Sequence, residues 1–469
     1  MQVGAQPQAS LHRPTRTQLT GLLVGLALFT LVLVIDVPGL APDGQRMLAI
    51  FLLAIVLWVT EAVPLVATAV LVILLQVLLI SSEAVVAVPG EALPASRYFA
   101  TLADPVIVLF LGGFLIAQGA AKFDLDRNLA AVLLRPFAGS ARTTVLGLMA
   151  ITAVLSMFVS NTATTATMFA VVVPVLRALP AGGARTGVAL AIPVAANVGG
   201  MGTPVGSPPN AIALGALAAR GESISFVGWM MMALPLVVVV LAIAWWFLTR
   251  RFVPTSTPLA LDLDARFDTS SAAKVFYAVS AGTVLLWLTE PFHGIASTTV
   301  GFVPVVALLA TQVMTGDDLR SIQWPVLWLV AGGIALGVGI GATGVDIWVL
   351  DLFAWERLGQ LLLVALLALT AVAFSTVISS SAAANLLIPL ALGIAVGVAT
   401  DPVLVAVVVA LACSLAMTLP ISTPPNAIAY ATGEVPTRAL ATTGLVVGAG
   451  GIALLVLTMP PLWSVLGLP

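Results

Sequence analysis

Two long apolar segments of this chain are each interrupted by nearly the same string. Residues Met201–Ala213 read MGTPVGSPPNAIA, and residues Leu419–Ala429 read LPISTPPNAIA. A Pro removes a backbone donor and clashes with the preceding turn, so a Pro pair breaks a helix. In a bilayer, a broken helix is tolerated only where the freed backbone is buried in protein or lines a cavity. Two ordinary Pro kinks would leave the repeat unexplained, so we interpret the strings as paired breaks at a binding site.

The composition sets the class of protein in which these breaks lie. The chain has 469 residues, of which 60% are hydrophobic and 8% are charged, whereas a soluble domain carries about 25% charged residues. Apolar runs long enough to span a bilayer recur from Leu19 to Leu466, which predicts an all-α polytopic membrane protein. A net charge of −2 without an extended basic patch argues against a nucleic-acid partner, and a single cysteine, Cys413, excludes an intramolecular disulfide. The 10 Trp residues fit anchoring at the membrane interfaces.

The second half of the chain repeats the first. The string LWVTE that ends at Glu61 recurs as LWLTE ending at Glu290. The offset between matching positions stays between 216 residues (Pro208 to Pro424) and 229 residues (Glu61 to Glu290), and such a steady offset indicates duplication. We predict four parts: a cytoplasmic tail with the first transmembrane helix (1–44), a first repeat (45–250), a cytoplasmic linker (251–273) and a second repeat (274–469).

Lys and Arg residues near the spans predict the orientation of the chain. Arg13 and Arg16 place the N-terminus in the cytoplasm. The next basic residues fall on the same side only if Thr143–Leu179 enters and leaves the membrane on that side, as a re-entrant hairpin. These basic residues are Lys122, Arg127, Arg135, Arg142, Arg177, Arg185, Arg250 and Arg251. The matching region of the second repeat, from Asp346 through Asp351 and Glu356 to Arg357, then falls outside. The sequence therefore predicts inverted repeats in the cell (inner) membrane, with about eleven transmembrane helices, two hairpins and the C-terminus outside.

Four interruptions are predicted to meet at membrane depth by the symmetry of the repeats. They are the two breaks and the two hairpin tips, Ser160-Asn161-Thr162 and Ser379-Ser380-Ser381. All are rich in hydroxyls, amides, Gly or Pro, and none carries a formal charge. Helix N-termini at such interruptions suit an anion, while carbonyl, hydroxyl and amide oxygens suit a hard cation such as sodium. A hairpin tip alone fits hydrogen bonding between helices equally well, but the Pro breaks favour a binding site.

Three strings resemble the divalent anion:sodium symporter (DASS) family: SNTATTATM at 160–168, GTPVGSPPN at 202–210 and STPPN at 422–426. The resemblance covers nearly the whole chain. It implies a homodimer that carries di- or tricarboxylates or sulfate by an elevator movement, usually with sodium as the coupling ion and with no other cofactor. It implies a first sodium site on Ser156, Ser160, Asn161 and Gly206. It implies an anion site on Asn161, Thr162, Ser207, Ser380, Ser381 and Thr423.

The second hairpin tip departs from the family pattern. Its counterpart in the family usually reads Ser-Asn-Thr, whereas this chain has three serines at 379–381. Ser380 thus replaces the amide that helps to hold a second sodium ion and the far end of the anion. The resemblance places that second sodium site around Ser375, Ser380 and Ser422, and we expect it to be weak or absent here.

These features favour a sodium-coupled importer of C4-dicarboxylates such as succinate, malate or fumarate. A sulfate carrier, or a dicarboxylate exchanger with little sodium dependence, stays open as the alternative. An ion channel is disfavoured because its pore has a continuous polar file or a charged ring. An enzyme is disfavoured because no pair such as Ser with His or Lys lies at the predicted depth. Glu61 and Glu290 are interpreted as helix-end residues rather than proton sites.

Overall fold

The computed structural model describes residues 15–468 except 90, 138, 180, 181, 254–264, 353, 354, 356 and 357. Within these residues all regular elements are helical, and ten segments are long and apolar enough to cross a membrane. This confirms the predicted all-α polytopic class, while the four-part division and the orientation stay predictions. Arg13, Glu356, Arg357 and much of the predicted linker lie outside the described residues.

The first half combines long spans, short surface helices and one broken segment. Its helices are α1 Arg16–Val34, α2 Pro42–Thr60, α3 Leu65–Leu79, α4 Ala95–Phe99, α5 Pro105–Lys122, α6 Leu125–Leu134, α7 Ala141–Phe158, α8 Asn161–Ala178, α9 Gly183–Gly199, α10 Pro208–Ala218 and α11 Phe226–Arg251. The segment after α1 forms two helices, α2 and α3. They meet at a turn in which Glu61 adopts a φ of 46° and ends α2.

The second half follows the same order. Its helices are α12 Ser271–Leu288, α13 Glu290–His293, α14 Ser297–Val300, α15 Phe302–Ala310, α16 Gly316–Arg320, α17 Trp324–Ala342, α18 Val345–Asp351, α19 Gln360–Val377, α20 Ser380–Gly397, α21 Pro402–Ser414, α22 Pro424–Ala431, α23 Thr437–Leu457 and α24 Met459–Val465. Position by position, α5 corresponds to α17, the pair α7–α8 to α19–α20, and the pair α9–α10 to α21–α22.

Both predicted hairpins are present, and a serine caps each tip. In the first hairpin, α7 ends at Phe158 and α8 begins at Asn161. Ser160 Oγ accepts a hydrogen bond from Ala163 N at 3.2 Å. In the second, Ser379 Oγ accepts from Ala382 N at 3.3 Å. These are N-cap bonds, which satisfy a backbone donor that the first helical turn leaves without an intrahelical partner.

The Asn of each PPN string holds its helix break together. Asn210 Nδ2 donates to the carbonyls of Gly200 at 2.9 Å and Thr203 at 2.8 Å. Asn426 Nδ2 donates in the same way to the carbonyls of Met417 at 2.9 Å and Leu419 at 3.0 Å. A break frees carbonyls that a buried segment must satisfy. The Pro pair therefore starts the second helical piece, and the Asn behind it bonds to the loop that the break creates.

The two halves pack into each other rather than side by side. α5 contacts α14 and α15 of the second half, and α17 contacts α3 of the first. A side chain at Gly112 would meet the Gly301 carbonyl, and one at Gly332 would meet Ala69, so only Gly permits these close approaches. Beyond the breaks, α10 contacts α20 and α21, while α22 contacts α8 and α9. This exchange brings both tips and both breaks to the middle of the molecule.

Among the described residues, three ion pairs join the two halves at the ends of the helices. Lys122 Nζ lies 2.6 Å from Asp318, Arg185 lies 3.2 Å from Glu434, and Arg220 lies 2.9 Å from Asp346. Partial burial acts to raise the pKa of Asp318, but hydrogen bonds from Lys122 and Thr315 hold that pKa below its ordinary value. Each pair connects helix ends that the predicted topology assigns to one side of the membrane.

Candidate binding site

A cavity of about 150 Å³ lies where the two hairpin tips and the two breaks meet. Eight residues predicted for binding line this central cavity: Ser160, Asn161, Thr162, Gly206, Ser207, Ser380, Ser381 and Thr423. They include every residue of the predicted anion site. Ser156, Ser375 and Ser422, which were predicted as cation ligands, are buried but do not line the cavity. The structure thus brings together residues from sequence positions that are more than two hundred apart.

Four helices begin at the central cavity. The first residues of α8, α10, α20 and α22, which are Asn161, Pro208, Ser380 and Pro424, all line it. Each helix N-terminus carries about half a positive charge from the aligned peptide dipoles. None of the described residues that line the cavity is charged. The field inside is therefore set by helix ends that favour an anion.

Hydrogen-bond donors at the cavity come from different groups at the two kinds of helix start. α10 and α22 begin with Pro pairs, which have no N–H, so their first donors there are the hydroxyls of Ser207 and Thr423. α8 and α20 begin at the hairpin tips, where backbone N–H groups and the hydroxyls of Thr162, Ser380 and Ser381 are available. Such neutral donors can bind a carboxylate or sulfate without a buried Arg.

Asn161 lies within a cluster of oxygen atoms beside the first hairpin tip. One end of its side-chain amide is 2.6 Å from Ser156 Oγ, 3.1 Å from Gly206 O and 3.3 Å from Ala196 O. With the amide nitrogen at that end, Asn161 donates to these oxygens. With the amide oxygen at that end, the Asn161 oxygen and its neighbours form a group of oxygen atoms only, which is the arrangement that binds a hard cation. Because the Asn161 amide can turn either its nitrogen or its oxygen toward these atoms, it fits both an empty site and a site that holds a cation.

The matching region of the second half lacks that amide. Ser375 Oγ donates to Cys413 O at 2.7 Å, just as Ser156 Oγ donates to Ala196 O at 2.8 Å. The residue that corresponds to Asn161, however, is Ser380, whose shorter side chain lines the cavity. Ser422 Oγ donates to the Thr376 carbonyl at 3.2 Å. Of the three residues of the predicted second sodium site, Ser380 lines the central cavity, while the hydroxyls of Ser375 and Ser422 bond to backbone carbonyls.

Two polar residues at the cavity were not predicted from the sequence. Asn197 on α9 is buried, and its Nδ2 donates to Thr423 Oγ1 and to Asn426 Oδ1, both at 3.1 Å. The only signal for it was a single amide within an apolar run. Gln323, which precedes α17, donates from Nε2 to Ser160 Oγ at 3.0 Å. No local pattern marked Gln323, because its partner is far away in sequence.

An apolar wall completes the central cavity. It is formed by Phe110 and Phe114 of α5 together with Val326 of α17. The two Phe rings make an edge-to-face pair with centroids 5.8 Å apart. The polar groups of the hairpins and breaks thus lie opposite an apolar surface formed by α5 of the first half and α17 of the second.

Comparison with known proteins gives concordant results. The family described as the sodium:sulfate symporter transmembrane region matches residues 16–468. The sodium-dependent dicarboxylate transporter SdcS of Staphylococcus saprophyticus is 30% identical over 411 residues, which are 79% of this chain and 79% of that protein. The SdcS protein of Staphylococcus aureus strain NCTC 8325 is 28% identical over 393 residues, or 76% of each chain. The crystal structure of the Alcanivorax borkumensis YdaH transporter, which is reported to reveal an unusual topology, has a similar fold. The TM-score is 0.54 at 16% sequence identity, and the match covers 90% of this chain and 99% of that one.

Proposed function

Because this chain belongs to the sodium:sulfate symporter family, as its resemblance to the divalent anion:sodium symporters predicted, we propose that it takes up C4-dicarboxylates together with sodium. The family and the relatives are transporters rather than enzymes, so the chain is a membrane transport protein. Succinate, malate and fumarate are the proposed substrates. The single observation that carries the proposal is the uncharged cavity at which four helix N-termini meet.

The anion is proposed to bind between the two hairpin tips. One carboxylate lies against Asn161 and Thr162 with the hydroxyl of Ser207, and the other lies against Ser380 and Ser381 with the hydroxyl of Thr423; all six residues line the cavity. Two carboxylates at opposite ends match two N-terminal helix pairs that come from opposite halves of the chain.

Sodium is proposed to bind at the oxygen cluster of Ser156, Asn161 and Gly206, with Ser160 as a further ligand. The support is the distances of 2.6–3.3 Å from the Asn161 amide to neighbouring oxygens. In this arrangement the Asn161 oxygen faces the cation and its nitrogen faces the anion. One side chain would then couple the two ligands, because each fixes the amide orientation that the other needs. The second sodium site around Ser375, Ser380 and Ser422 is proposed to be weak.

The movement proposed for transport is an elevator shift of the hairpins and broken helices against the other helices, in a homodimer with inverted repeats. The pairwise correspondence of α7–α10 with α19–α22 and their exchange of contacts support two related halves. A sulfate carrier is the second candidate, since the serine-only second tip gives the far end of a dicarboxylate one amide fewer than the usual pattern provides.

Uptake into proteoliposomes tests the proposal. Radiolabelled succinate and sulfate are offered with an inward sodium gradient or with the same concentration of potassium, and we expect sodium to raise succinate uptake about tenfold or more. The Asn161→Ala protein should lose this stimulation. Equal uptake in potassium would refute sodium coupling. Uptake of sulfate but not succinate would establish the second candidate, and normal transport by a well-folded Asn161→Ala protein would show that the site is elsewhere.

A further inference from the structure

Gln323 connects the wall of the central cavity to the first hairpin. It immediately precedes α17, and its Nε2 donates to Ser160 Oγ at 3.0 Å. Gln323 is exposed and Ser160 is partly buried. The bond is therefore a contact between an element of the wall and the tip that carries the proposed first sodium site.

The acceptor capacity of Ser160 is fully used in this arrangement. A hydroxyl oxygen has two lone pairs that can accept hydrogen bonds or bind a cation. Ala163 N occupies one of them at 3.2 Å, and Gln323 Nε2 occupies the other at 3.0 Å. A sodium ion that takes Ser160 Oγ as a ligand must displace one of these donors. The bond from Ala163 caps α8, whereas the exposed amide of Gln323 can form hydrogen bonds with water instead. Displacing Gln323 therefore costs less free energy than displacing Ala163 N.

In the part of the chain that the structure describes, the second hairpin tip has no such bond. With the offset of 220 residues between Gly112 and Gly332, the position that matches Gln323 is Ala103, which has no side-chain donor. The cavity also lies beside the start of α17, at Gln323 just before the helix and Val326 in its first turn, but beside Phe110 and Phe114 in the interior of α5. The cavity and the first hairpin tip therefore lie closer to the beginning of α17 than to the beginning of α5, and Gln323 is within reach of Ser160 there.

We propose that Gln323 is a positioning residue that competes with the coupling cation for Ser160 and holds the first hairpin against α17 only while the first cation site is empty. The inference rests on the proposed function, since it requires Ser160 to be a cation ligand. Binding of sodium frees the tip from the wall, and release of sodium lets the amide return. Gln323 therefore opposes movement of the hairpin without its cation, and it does so on one side of the molecule only.

Thermal unfolding of the purified protein in detergent, titrated with sodium at constant ionic strength, tests this role without measuring transport, because a ligand that binds the folded state raises Tm. We expect Gln323→Met to lower the half-saturating sodium concentration about fivefold, since one competing hydrogen bond is lost. Gln323→Glu keeps the size of the side chain but cannot donate, and its charge should lower that concentration further. Gln312→Met, in the same connection between α15 and α17 but away from the cavity, should leave it unchanged.

The outcomes separate this inference from the proposed function. If sodium does not stabilise the native protein, or stabilises the Asn161→Ala protein equally well, the proposed site fails and this role fails with it. If sodium stabilises the native protein but both Gln323 variants keep the native half-saturation, the site stands and competition by Gln323 is refuted. Should Gln323→Met not fold, Gln323→Ala decides the question, because it also removes the donor and adds no charge. A shift of the same size in Gln312→Met would also refute a specific role.

Discussion

Asn197 of the first half donates its side-chain amide to Asn426 Oδ1 of the second half at 3.1 Å. Asn426 in turn donates to the two carbonyls of the second break. The intact part of one broken helix thus holds the loop of the other. The same Asn197 nitrogen reaches Thr423 Oγ1, a lining residue of the cavity, at 3.1 Å. The geometry of the second break therefore depends on a side chain from the first half.

The first prediction concerns this amide. Asn197→Ala should lower the free energy of unfolding by about 2–3 kcal/mol, because Asn426 Oδ1 and Thr423 Oγ1 lose a buried donor. The uptake rate should fall by more than the loss of folded protein explains, since Thr423 is a proposed anion contact. The matched control is Ser414→Ala at the corresponding position of α21, where the hydroxyl donates within its own helix, to Ala410 O at 3.3 Å. We expect a change within about 0.5 kcal/mol there. Equal effects of the two substitutions on Tm and uptake would contradict this role.

The second prediction distinguishes the two glutamates of the repeated strings. Glu290 accepts from Phe226 N at 2.8 Å and from Ser297 N at 3.2 Å, so it caps the starts of both α11 and α14. Glu61 is exposed, and its backbone carbonyl rather than its carboxylate accepts a bond from Gln18. Glu290→Ala should therefore cost about 2–3 kcal/mol of stability, and Glu61→Ala less than about 0.5 kcal/mol.

Thermal unfolding of both variants, with uptake by the Glu290→Gln protein, checks this assignment. Glu290→Gln keeps one acceptor oxygen and should retain most of the transport activity. Loss of transport in a stable Glu290→Gln protein would instead indicate a proton site.

The third prediction concerns orientation. Arg135 follows α6, on the side where Lys122 pairs with Asp318, and Asp351 ends α18, on the side where Arg220 pairs with Asp346. The distribution of basic residues predicts Arg135 in the cytoplasm and Asp351 outside. Single cysteines at the two positions, in a Cys413→Ser background, should react with a membrane-impermeant reagent from opposite sides. Labelling of both from one side of intact cells would refute the inverted repeat.

The features that sequence analysis found are those with a local cause. Pro pairs and polar interruptions in apolar segments change the backbone where they stand, so the breaks and hairpins were predicted close to their observed bounds. The repeat then predicted that they meet, and eight predicted residues do line one cavity. Helix-end positions for Glu61 and Glu290 followed from the turns beside them.

The features that it missed depend on contacts distant in sequence. Asn197 and Gln323 have partners in the opposite half, which no local pattern marks. The composition predicted Trp residues at the membrane interfaces, but it did not predict that four of them, Trp58, Trp229, Trp287 and Trp463, are buried within the protein. Each donates its indole N–H to a backbone carbonyl, and Trp229 bonds to Met201 O within the first break. Amphipathic rings suit an interface and a buried junction equally, so composition alone does not separate the two.

The last prediction follows from the difference between the hairpin tips. The first tip offers the Asn161 amide within 3.3 Å of three oxygens, whereas the second offers the Ser380 hydroxyl in its place. A hard cation is held by the number and placement of its oxygen ligands. Loss of one such ligand should cost about 1–3 kcal/mol, or roughly tenfold or more in affinity. The uptake rate should then increase with sodium concentration with a Hill coefficient of about one, because the number of coupled sites limits the Hill coefficient.

Restoring the amide tests the cause of that difference. The double substitution Ser380→Asn with Ser381→Thr recreates the first tip in the second hairpin, and it should steepen the sodium dependence of uptake. Ser380→Ala should leave the native curve shallow, because the hydroxyl contributes little to cation binding there. The measurement is initial uptake of radiolabelled succinate at varied sodium and constant ionic strength. A steep native curve that Ser380→Ala does not change would show that a second cation binds away from this tip.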